Sequence, residues 1–248
     1  MNKKTSNIVL IISAIIPFGL QFSGLESELG NGSVIYSIMW AIVNYLFMMT
    51  AVDFISKYKE ILKLEDLNIR KKTYNLNIFV YIGFLIFVNI YFFQQMYVRD
   101  NKVINFLANP LFLIGLFLLF IYNLQNGKFP NREDKDTIIY NIPSKSSFRD
   151  GKDRLGTVVG SYGKGLVIGN HHFPYEDMKS ISKSKNNEIV IKGKEGSKNY
   201  IVNIGSLNSA NQAIIEINNA LNEGKIDENK INLKKIIRLS HSVRLKKK

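Results

Sequence analysis

The chain of 248 residues contains no cysteine. This absence excludes disulfide bridges, thiolate zinc sites, cysteine nucleophiles and a lipid-modified N-terminal cysteine. The chain is also poor in proline, with 5 residues, and in histidine, with 3. The remaining information therefore lies in how apolar and charged residues are distributed along the chain.

Charged residues are missing from four long stretches of the first half. The mean hydropathy of −0.01 is ordinary for a water-soluble protein, but it averages an apolar first half with a charged second half. A helix that crosses ~30 Å of hydrocarbon needs roughly 20 apolar residues. Residues 1–127 are therefore predicted to be a domain of four transmembrane helices, within the uncharged windows Thr5 to Leu25, Leu29 to Val52, Thr73 to Val98 and Val103 to Gly127.

Basic residues in the short loops predict the orientation, because they stay on the cytoplasmic side. Lys3 and Lys4 precede the first window, whereas the first loop carries only Glu26 and Glu28. The loop between the second and third windows is rich in basic residues: Lys57, Lys59, Lys63, Arg70, Lys71 and Lys72. Both termini are therefore predicted to be cytoplasmic in a multi-pass protein of the bacterial inner membrane. A cleaved signal peptide at Met1 to Gly24 is the alternative, and it leaves the second half cytoplasmic.

Polar residues inside the predicted spans are few. The candidates are Asn44, Asp53 and Asn89. In one interpretation they are structural, with Asp53 paired to Lys57 one turn on and the amides bonding between helices. In the other they line the pathway of a small transporter or channel subunit.

The composition changes after Gly127. Residues 128–136 are predicted to be a charged linker, and residues 137–223 a mainly-β domain closed by one α-helix. An antiparallel meander that forms a curled sheet is the simplest arrangement, because the short runs are too close for crossover helices. Six runs are predicted as strands: Thr137 to Ile142, Gly156 to Tyr162, Gly165 to Ile168, Met178 to Ser184, Glu188 to Lys192 and Tyr200 to Ile204.

An amphipathic helix is predicted after the last strand. Its apolar positions recur with helical spacing from Ala210 to Leu221. Ser209 and Gln212 have the spacing of a capping box, and Gly224 supplies a stop signal. We expect this helix to plug the open end of the sheet.

The segment from Lys164 to Ile181 reads KGLVIGNHHFPYEDMKSI. It resembles the central hairpin of bacterial pleckstrin-homology-like domains, in which an apolar strand precedes an aromatic and acidic turn. The resemblance covers about residues 137–222 and implies a non-enzymatic module joined to membrane helices. Some similar proteins look to be encoded with bacteriocin systems as immunity factors, which implies a role in membrane protection.

Residues 224–248 are predicted to be a basic amphipathic tail. Each basic residue near an anionic leaflet contributes ~1 kcal/mol of attraction. The tail is therefore predicted to bind anionic lipids; a solvated end without a specific role is the alternative. Nucleic acid is not expected as a partner, because no base-reading motif accompanies the charges. From Asn229 onward the basic residues are Lys230, Lys234, Lys235, Arg238, Arg244, Lys246, Lys247 and Lys248.

Motifs for catalysis are weak. His171 and His172 are adjacent, so on a strand their side chains point to opposite faces and cannot share a metal ion. Gly160 to Gly165 fits neither a phosphate-binding loop nor a nucleophile elbow. We therefore expect no enzyme activity, cofactor or metal. The predicted function is membrane-anchored binding of a protein partner or of the lipid surface, and a transporter subunit is the alternative.

Overall fold

The computed structural model describes residues 3–98 apart from 26 and 28, the isolated positions 111, 114 and 118, and residues 132–133, 136–142, 157–184 and 188–231. The chain divides into two compact units. The first unit comprises Met1–Ser56 and Asn77–Leu124, and the second comprises Lys57–Leu76 and Gln125–Lys248. A stretch from the middle of the apolar half therefore groups with the second half of the chain, which the sequence did not predict.

Three long helices account for most of the described first half. They are α1 (Lys3–Phe22), α2 (Ser33–Ile61) and α3 (Lys71–Tyr97), with a short 3₁₀ turn at Gly30–Gly32 before α2. All three are long and apolar enough to cross a membrane, and they coincide with three of the four predicted spans. Each leaves a row of large apolar side chains exposed, as expected of lipid-facing helices. Examples are Ile8, Ile11 and Ile15 on α1, Ile35, Ile38 and Ile42 on α2, and Phe79, Ile82 and Ile86 on α3.

The fourth predicted span falls almost entirely outside the described residues. Only Leu111, Ile114 and Leu118 are described within it, and each is helical and exposed. This span therefore stays a prediction. The expected domain boundary at 127 and 128 also lies outside the described residues.

Aromatic pairs join α2 to α3 in antiparallel order. Trp40 stacks on Phe92 at 5.8 Å between ring centroids, and Phe54 meets Tyr81 edge-on at 5.4 Å. Between them, the centroids of Phe47 and Phe84 are 6.1 Å apart. Ring pairs in such geometry stabilise by about 0.5–1.5 kcal/mol beyond the area they bury. They hold the two helices in one register.

The second unit contains two β-sheets. The order of the five-stranded sheet is β1-β2-β8-β7-β6, and that of the three-stranded sheet is β3-β4-β5. The strands are β1 (Arg132–Glu133), β2 (Thr137–Ile142), β3 (Val159–Tyr162), β4 (Gly165–Ile168), β5 (His171–Pro174), β6 (Met178–Lys183), β7 (Ile189–Glu195) and β8 (Lys198–Ile204).

The predicted antiparallel meander is wrong for one pairing. Strands β2 and β8 are parallel, with Thr137 opposite Asn199 and Ile142 opposite Ile204. Consecutive strands β3 to β5 and β6 to β8 are antiparallel, as their short connections require. No turn joins β2 to β8, because most of the domain lies between them in sequence, so local turn signals could not determine their direction.

Two strands were not predicted. Strand β1 falls inside the predicted linker and pairs with β2. Strand β5 contains two histidines and a proline and has no alternating apolar pattern, yet it completes the three-stranded sheet beside β4. Proline is tolerated there because β5 lies at the edge of that sheet.

The closing helix is α4 (Leu207–Asn222). Its buried stripe joins side chains from both sheets in one apolar core, with the contributors including Leu166, Phe173, Met178, Ile191, Val202, Ala213 and Ile217. The predicted apolar face is therefore confirmed. Burial of about 25 cal/mol per Å² of apolar surface makes this core the main stabilising feature of the unit.

The sequence predicted the C-terminal end of α4 correctly and its N-terminal end wrongly. The capping box at Ser209 and Gln212 is wrong, because α4 begins three residues earlier and Ser206 occupies the N-cap without a side-chain cap. The stop signal at Gly224 is confirmed by its φ of +69°. The amide of Gly224 donates to the carbonyl of Leu221 at 3.0 Å, and that of Lys225 to the carbonyl of Ala220 at 2.8 Å. This is the bonding of a Schellman motif.

The loop that joins α2 to α3 belongs to the second unit and covers the edge of β3. Asn68 and Ser161 exchange two backbone hydrogen bonds, of 2.8 and 3.1 Å. Beside them, Gly160 has no room for a Cβ atom, because the backbone of Asn68 and the side chain of Ile69 occupy that space. Within the same unit, the hydroxyl of Tyr74 donates to the carbonyl of Gly169.

Candidate functional site

A cleft in the second unit lies between the α2–α3 loop, strand β3 and helix α4. Its larger cavity, of about 370 Å³, is lined mostly by amide and hydroxyl side chains. Such a lining offers many hydrogen-bond donors and acceptors to a bound molecule. The lining residues are Asn68, Ile69, Arg70, Thr73, Thr157, Val158, Val159, Asn208, Ser209, Asn211, Gln212, Ile215 and Glu216.

A smaller cavity of about 230 Å³ lies between the same three elements, further along β3 and α4. It shares Asn68 and Glu216 with the larger one, so Glu216 contributes to both. Its lining adds two tyrosines and further charged groups. Its described lining residues are Asp66, Asn68, Ser161, Tyr162, Gly163, Tyr175, Glu216, Asn219, Ala220, Glu223 and Lys225.

Glu216 is a carboxylate in an unusual position. Its residue is only 4% exposed. One carboxylate oxygen accepts a hydrogen bond from the Oγ of Ser161 at 2.7 Å, and the other accepts from the Nε2 of Gln212 at 2.7 Å. Within the described part of the chain, no cation lies within ion-pair distance of it. A buried carboxylate usually has a cationic partner. Among the described residues, the partners of Glu216 are instead the neutral donors Ser161 and Gln212.

Two tyrosines beside Glu216 are also buried. Tyr162 is 7% exposed and Tyr175 is 4% exposed. Burial raises the pKa of Tyr175, and the nearby charges of Glu216 and Glu223 raise it further. Burial likewise raises the pKa of Tyr162, with smaller contributions from Asp177 and Glu176. Both hydroxyls are therefore protonated at neutral pH and can donate as well as accept hydrogen bonds.

The structure brings two of the three polar candidates of the membrane spans together. Asn44 and Asn89 exchange two side-chain hydrogen bonds, of 3.0 and 2.9 Å. The Nε1 of Trp40 also donates to Asn89 at 2.9 Å. Asp53 lies further along α2 and is half-buried. The amides therefore bond between helices, as the structural interpretation expected.

Of the eight basic residues assigned to the predicted tail, only Lys230 lies within the described residues. Its Nζ donates to the backbone carbonyls of Tyr175 and Glu176, both at 3.3 Å. Next to it, Ile231 forms a parallel bridge with Ile181 of β6. Lys230 thus helps to hold the segment after α4 against the turn between β5 and β6. The other seven basic residues lie outside the described residues, and their binding to anionic lipid stays a prediction: Lys234, Lys235, Arg238, Arg244, Lys246, Lys247 and Lys248.

The two adjacent histidines lie on β5 and contact different aromatic residues. The ring of His171 is 5.0 Å from that of Tyr140, and the ring of His172 is 6.0 Å from that of Tyr162. Over the described ranges, no group of three His, Asp or Glu side chains is arranged to hold a metal ion.

The residues of the cleft were missed at the level of sequence. One signal for Glu216 was available, because it lies on the helical stripe that contains Ala213, Ile217 and Ala220. A charged residue on the buried face of an amphipathic helix indicates a polar site. No comparable signal marked the α2–α3 loop, whose pairing with β3 joins residues far apart in sequence.

Comparisons with protein-family models, with curated proteins and with solved structures gave no match for this chain.

Proposed function

We propose that this chain is a non-enzymatic protein of the bacterial inner membrane whose cytoplasmic second unit binds a protein partner in the cleft around Glu216. One observation carries the proposal: polar side chains converge on a cleft whose wall includes the loop between two membrane-length helices. A ligand in the cleft would contact residues directly continuous with α2 and α3. Both chain termini are proposed to be cytoplasmic, on the basis of the basic loops.

The module is further proposed to be pleckstrin-homology-like over residues 137–223. Two observations support this assignment. The hairpins β3-β4-β5 are followed by β6-β7-β8 and a closing helix, in the order that the resemblance implies. Both sheets and the helix also share one apolar core. Self-protection against a membrane-active bacteriocin is the proposed physiological role, and it rests on the resemblance alone.

A transporter role for Asn44 and Asn89 is less well supported. Their amide groups bond to each other and to Trp40, which occupies the groups that a permeating solute would need. The basic tail is proposed to add affinity for anionic lipids, as a second contribution beside the cleft.

Site-specific photo-cross-linking in cells tests the proposed function. A photoreactive amino acid replaces Ile215, which is exposed and lines the larger cavity. The matched control carries it at Leu207, which is exposed on the same helix and lines neither cavity. We expect a discrete cross-linked species at Ile215 and none at Leu207. Equal cross-linking at both positions, or none at Ile215, contradicts binding in the cleft.

Membrane insertion and orientation are tested separately. Alkaline carbonate should leave the full chain in the membrane fraction. Protease added to intact spheroplasts should spare the second unit and digest it only after the membrane is opened. Release by carbonate contradicts the membrane assignment, and digestion in intact spheroplasts contradicts the proposed orientation.

A further inference from the structure

One edge of strand β3 is only partly covered by the α2–α3 loop. Successive residues of an antiparallel strand direct their backbone N–H and C=O groups to opposite edges in turn. Val158 faces β4, because its carbonyl accepts a hydrogen bond from the amide of Gly169 at 2.7 Å. Val159 and Ser161 therefore direct their backbone groups to the other edge. Ser161 uses both of its groups there, in the two backbone hydrogen bonds with Asn68.

The backbone groups of Val159 are left open at this edge. Arg70 would lie opposite Val159 if the pairing of the loop continued, but the loop turns into α3 instead. The carbonyl of Arg70 accepts from the amide of Thr73 at 3.1 Å, in the first turn of that helix. No described residue bonds to the N–H or C=O of Val159 at this edge. Unpaired backbone groups on a strand edge are a template for another strand.

The larger cavity lies in front of these open groups. Val159 and Arg70 both line it, at the place where the loop leaves the strand. Its volume of about 370 Å³ is within the range of ligand pockets, which is about 300–1,000 Å³. Helix α4 supplies another part of its wall. The cavity is therefore a groove with a strand edge on one side and a helix on the other.

The α4 part of this wall is polar and uncharged apart from one residue. Asn211 and Gln212 present amide groups, which carry both a donor and an acceptor, as a peptide group does. Ile215 adds an apolar side chain that is 48% exposed. Arg70 and Glu216 are the charged members among the described lining residues. This lining suits the backbone of a polypeptide better than it suits a strongly charged ligand.

We propose that the larger cavity binds an extended segment of the protein partner, which pairs as an added strand with Val159 on the edge of β3. The segment continues the pairing of Asn68 with Ser161, one step further along the strand. Main-chain hydrogen bonds supply affinity in this mode of recognition, and side-chain contacts, here with Ile215, supply specificity. This inference rests on the proposed function, because it names how the partner binds in the cleft.

Peptide tethering to the full chain in a neutral detergent tests this inference. Ile215→Cys places the only thiol of the cysteine-free chain at the cavity. The probe is the synthetic peptide acetyl-Cys-Gly-Thr-Val-Thr-Val-Thr-amide, which exchanges its disulfide with that thiol in the presence of β-mercaptoethanol. All peptides form the same disulfide, so differences in the tethered fraction report non-covalent binding. The matched control Leu207→Cys carries the thiol on the same helix, outside both cavities.

Peptides with a single N-methyl group identify backbone pairing. Each N-methyl group removes one N–H donor and keeps every side chain. Because alternate residues of a strand face the same edge, we expect N-methylation to weaken tethering by about fivefold at alternate residues. At the residues between them, the effect should be about twofold or less. At Leu207→Cys, all peptides should tether equally.

The α-hydroxy analogue of valine at position 159 tests the protein side of the pairing. Incorporated by stop-codon suppression, it removes the N–H of Val159 and keeps the side chain. We expect it to weaken tethering of the unmodified peptide by about fivefold. The matched control is the α-hydroxy analogue of serine at Ser161, which removes an N–H that is already bonded.

Thermal unfolding without peptide compares the same two replacements. Each one also weakens the preceding carbonyl as an acceptor, so the difference between them isolates the N–H. The replacement at Ser161 should lower the unfolding temperature by about 2–4 °C more than the replacement at Val159, because only Ser161 loses a bond.

Three results contradict the added strand. In the first, N-methylation has no alternating effect on tethering. In the second, the chain with the α-hydroxy analogue at Val159 tethers the peptide as strongly as the chain without it. In the third, the two α-hydroxy replacements lower the unfolding temperature equally, because the edge at Val159 is then already paired by a segment of this chain or by a second copy.

The two proposals fail in different ways. Photo-cross-linking at Ile215 in cells reports on binding in the cleft and does not depend on backbone pairing. Loss of the alternating pattern with cross-linking intact removes the added strand alone. Loss of the cross-link removes the proposed function, even where a synthetic peptide still tethers.

Discussion

The helix pair of the first unit and the cleft of the second both bury polar side chains, but they differ in how fully those side chains are bonded. The amide of Asn89 uses its whole capacity: its oxygen accepts from Trp40 and Asn44, and its nitrogen donates to Asn44 and to the carbonyl of Leu85. In the cleft, each carboxylate oxygen of Glu216 accepts one hydrogen bond from a described residue, so part of its acceptor capacity is unused among those residues. Saturated polar groups fix a structure, whereas unsaturated ones remain available to a ligand.

The largest expected effect comes from breaking the wall of the cleft. Gly160→Ala places a Cβ atom against the backbone of Asn68 and the side chain of Ile69. We expect it to destabilise the second unit by about 3 kcal/mol, because the backbone of Asn68 and Ile69 must move to make room. Chemical denaturation measures the loss. The control Gly83→Ala makes the same change where nothing lies within 4 Å, and it should cost little. Equal stability of the two variants contradicts the close approach of the loop to β3.

A smaller effect is expected from breaking the saturated cluster. Asn89→Ala leaves Asn44 and Trp40 without their partner and should destabilise the helix pair by about 2 kcal/mol. Reversible unfolding in detergent measures this, with Ile90→Ala on the exposed face as the control. The double variant with Asn44→Ala should lose less than the sum of the single losses, because the two amides share bonds.

A change in the asparagine cluster of the first unit should leave binding in the second unit intact. Cross-linking at Ile215 should survive Asn89→Ala, since the cluster lies in the other unit. If Asn89→Ala instead leaves stability unchanged and abolishes a solute flux across the membrane, the comparison is reversed and the transporter alternative is restored.

The smallest expected effect on stability comes from the buried tyrosines of the second unit. It is absent at neutral pH and becomes measurable in alkali. Burial raises the pKa of Tyr162, Tyr175 and Tyr200 above the ordinary value of about 10. The neutral phenol is therefore favoured in the folded state. Its contribution to stability is complete below pH about 10 and is lost as the pH rises from there through the raised pKa values. Tyr175→Phe should make the loss of stability between neutral pH and strong alkali less steep.

Tyrosinate absorbance against pH checks this prediction. Three of the tyrosines outside the membrane helices should ionise only with unfolding. If all tyrosines of the second unit ionise near their ordinary pKa while the chain stays folded, the buried environment assigned to them is wrong.

Local patterns in the sequence predicted the elements better than their assembly. The three membrane-length helices followed from uncharged windows, and the end of α4 followed from Gly224, because both signals act over a few residues. The parallel pairing of β2 with β8 and the pairing of Asn68 with Ser161 join distant segments. No turn or periodicity specifies such contacts, since they depend on how the whole core is packed.

Part of the candidate site could also be predicted from a local signal. Glu216 interrupts an otherwise apolar stripe, which is a local signal that a polar site lies beneath α4. The residues that line the smaller cavity with it come from β3, from the turn after β5 and from the α2–α3 loop. Only the assembled fold brings these residues to one cavity.

The central claim is that the loop between two membrane-length helices forms a wall of the cleft. A cysteine-free chain allows a direct test, by replacing Asn68 and Ser161 with cysteine and oxidising the full chain in membranes. A directly opposed, hydrogen-bonded antiparallel pair has a Cα separation of about 5.5 Å, within reach of a disulfide. Cysteines at Lys194 and Asn199, opposed across the β7–β8 hairpin, are the positive control. The account predicts that both pairs form a disulfide; a control pair that oxidises while the Asn68 and Ser161 pair stays reduced contradicts it.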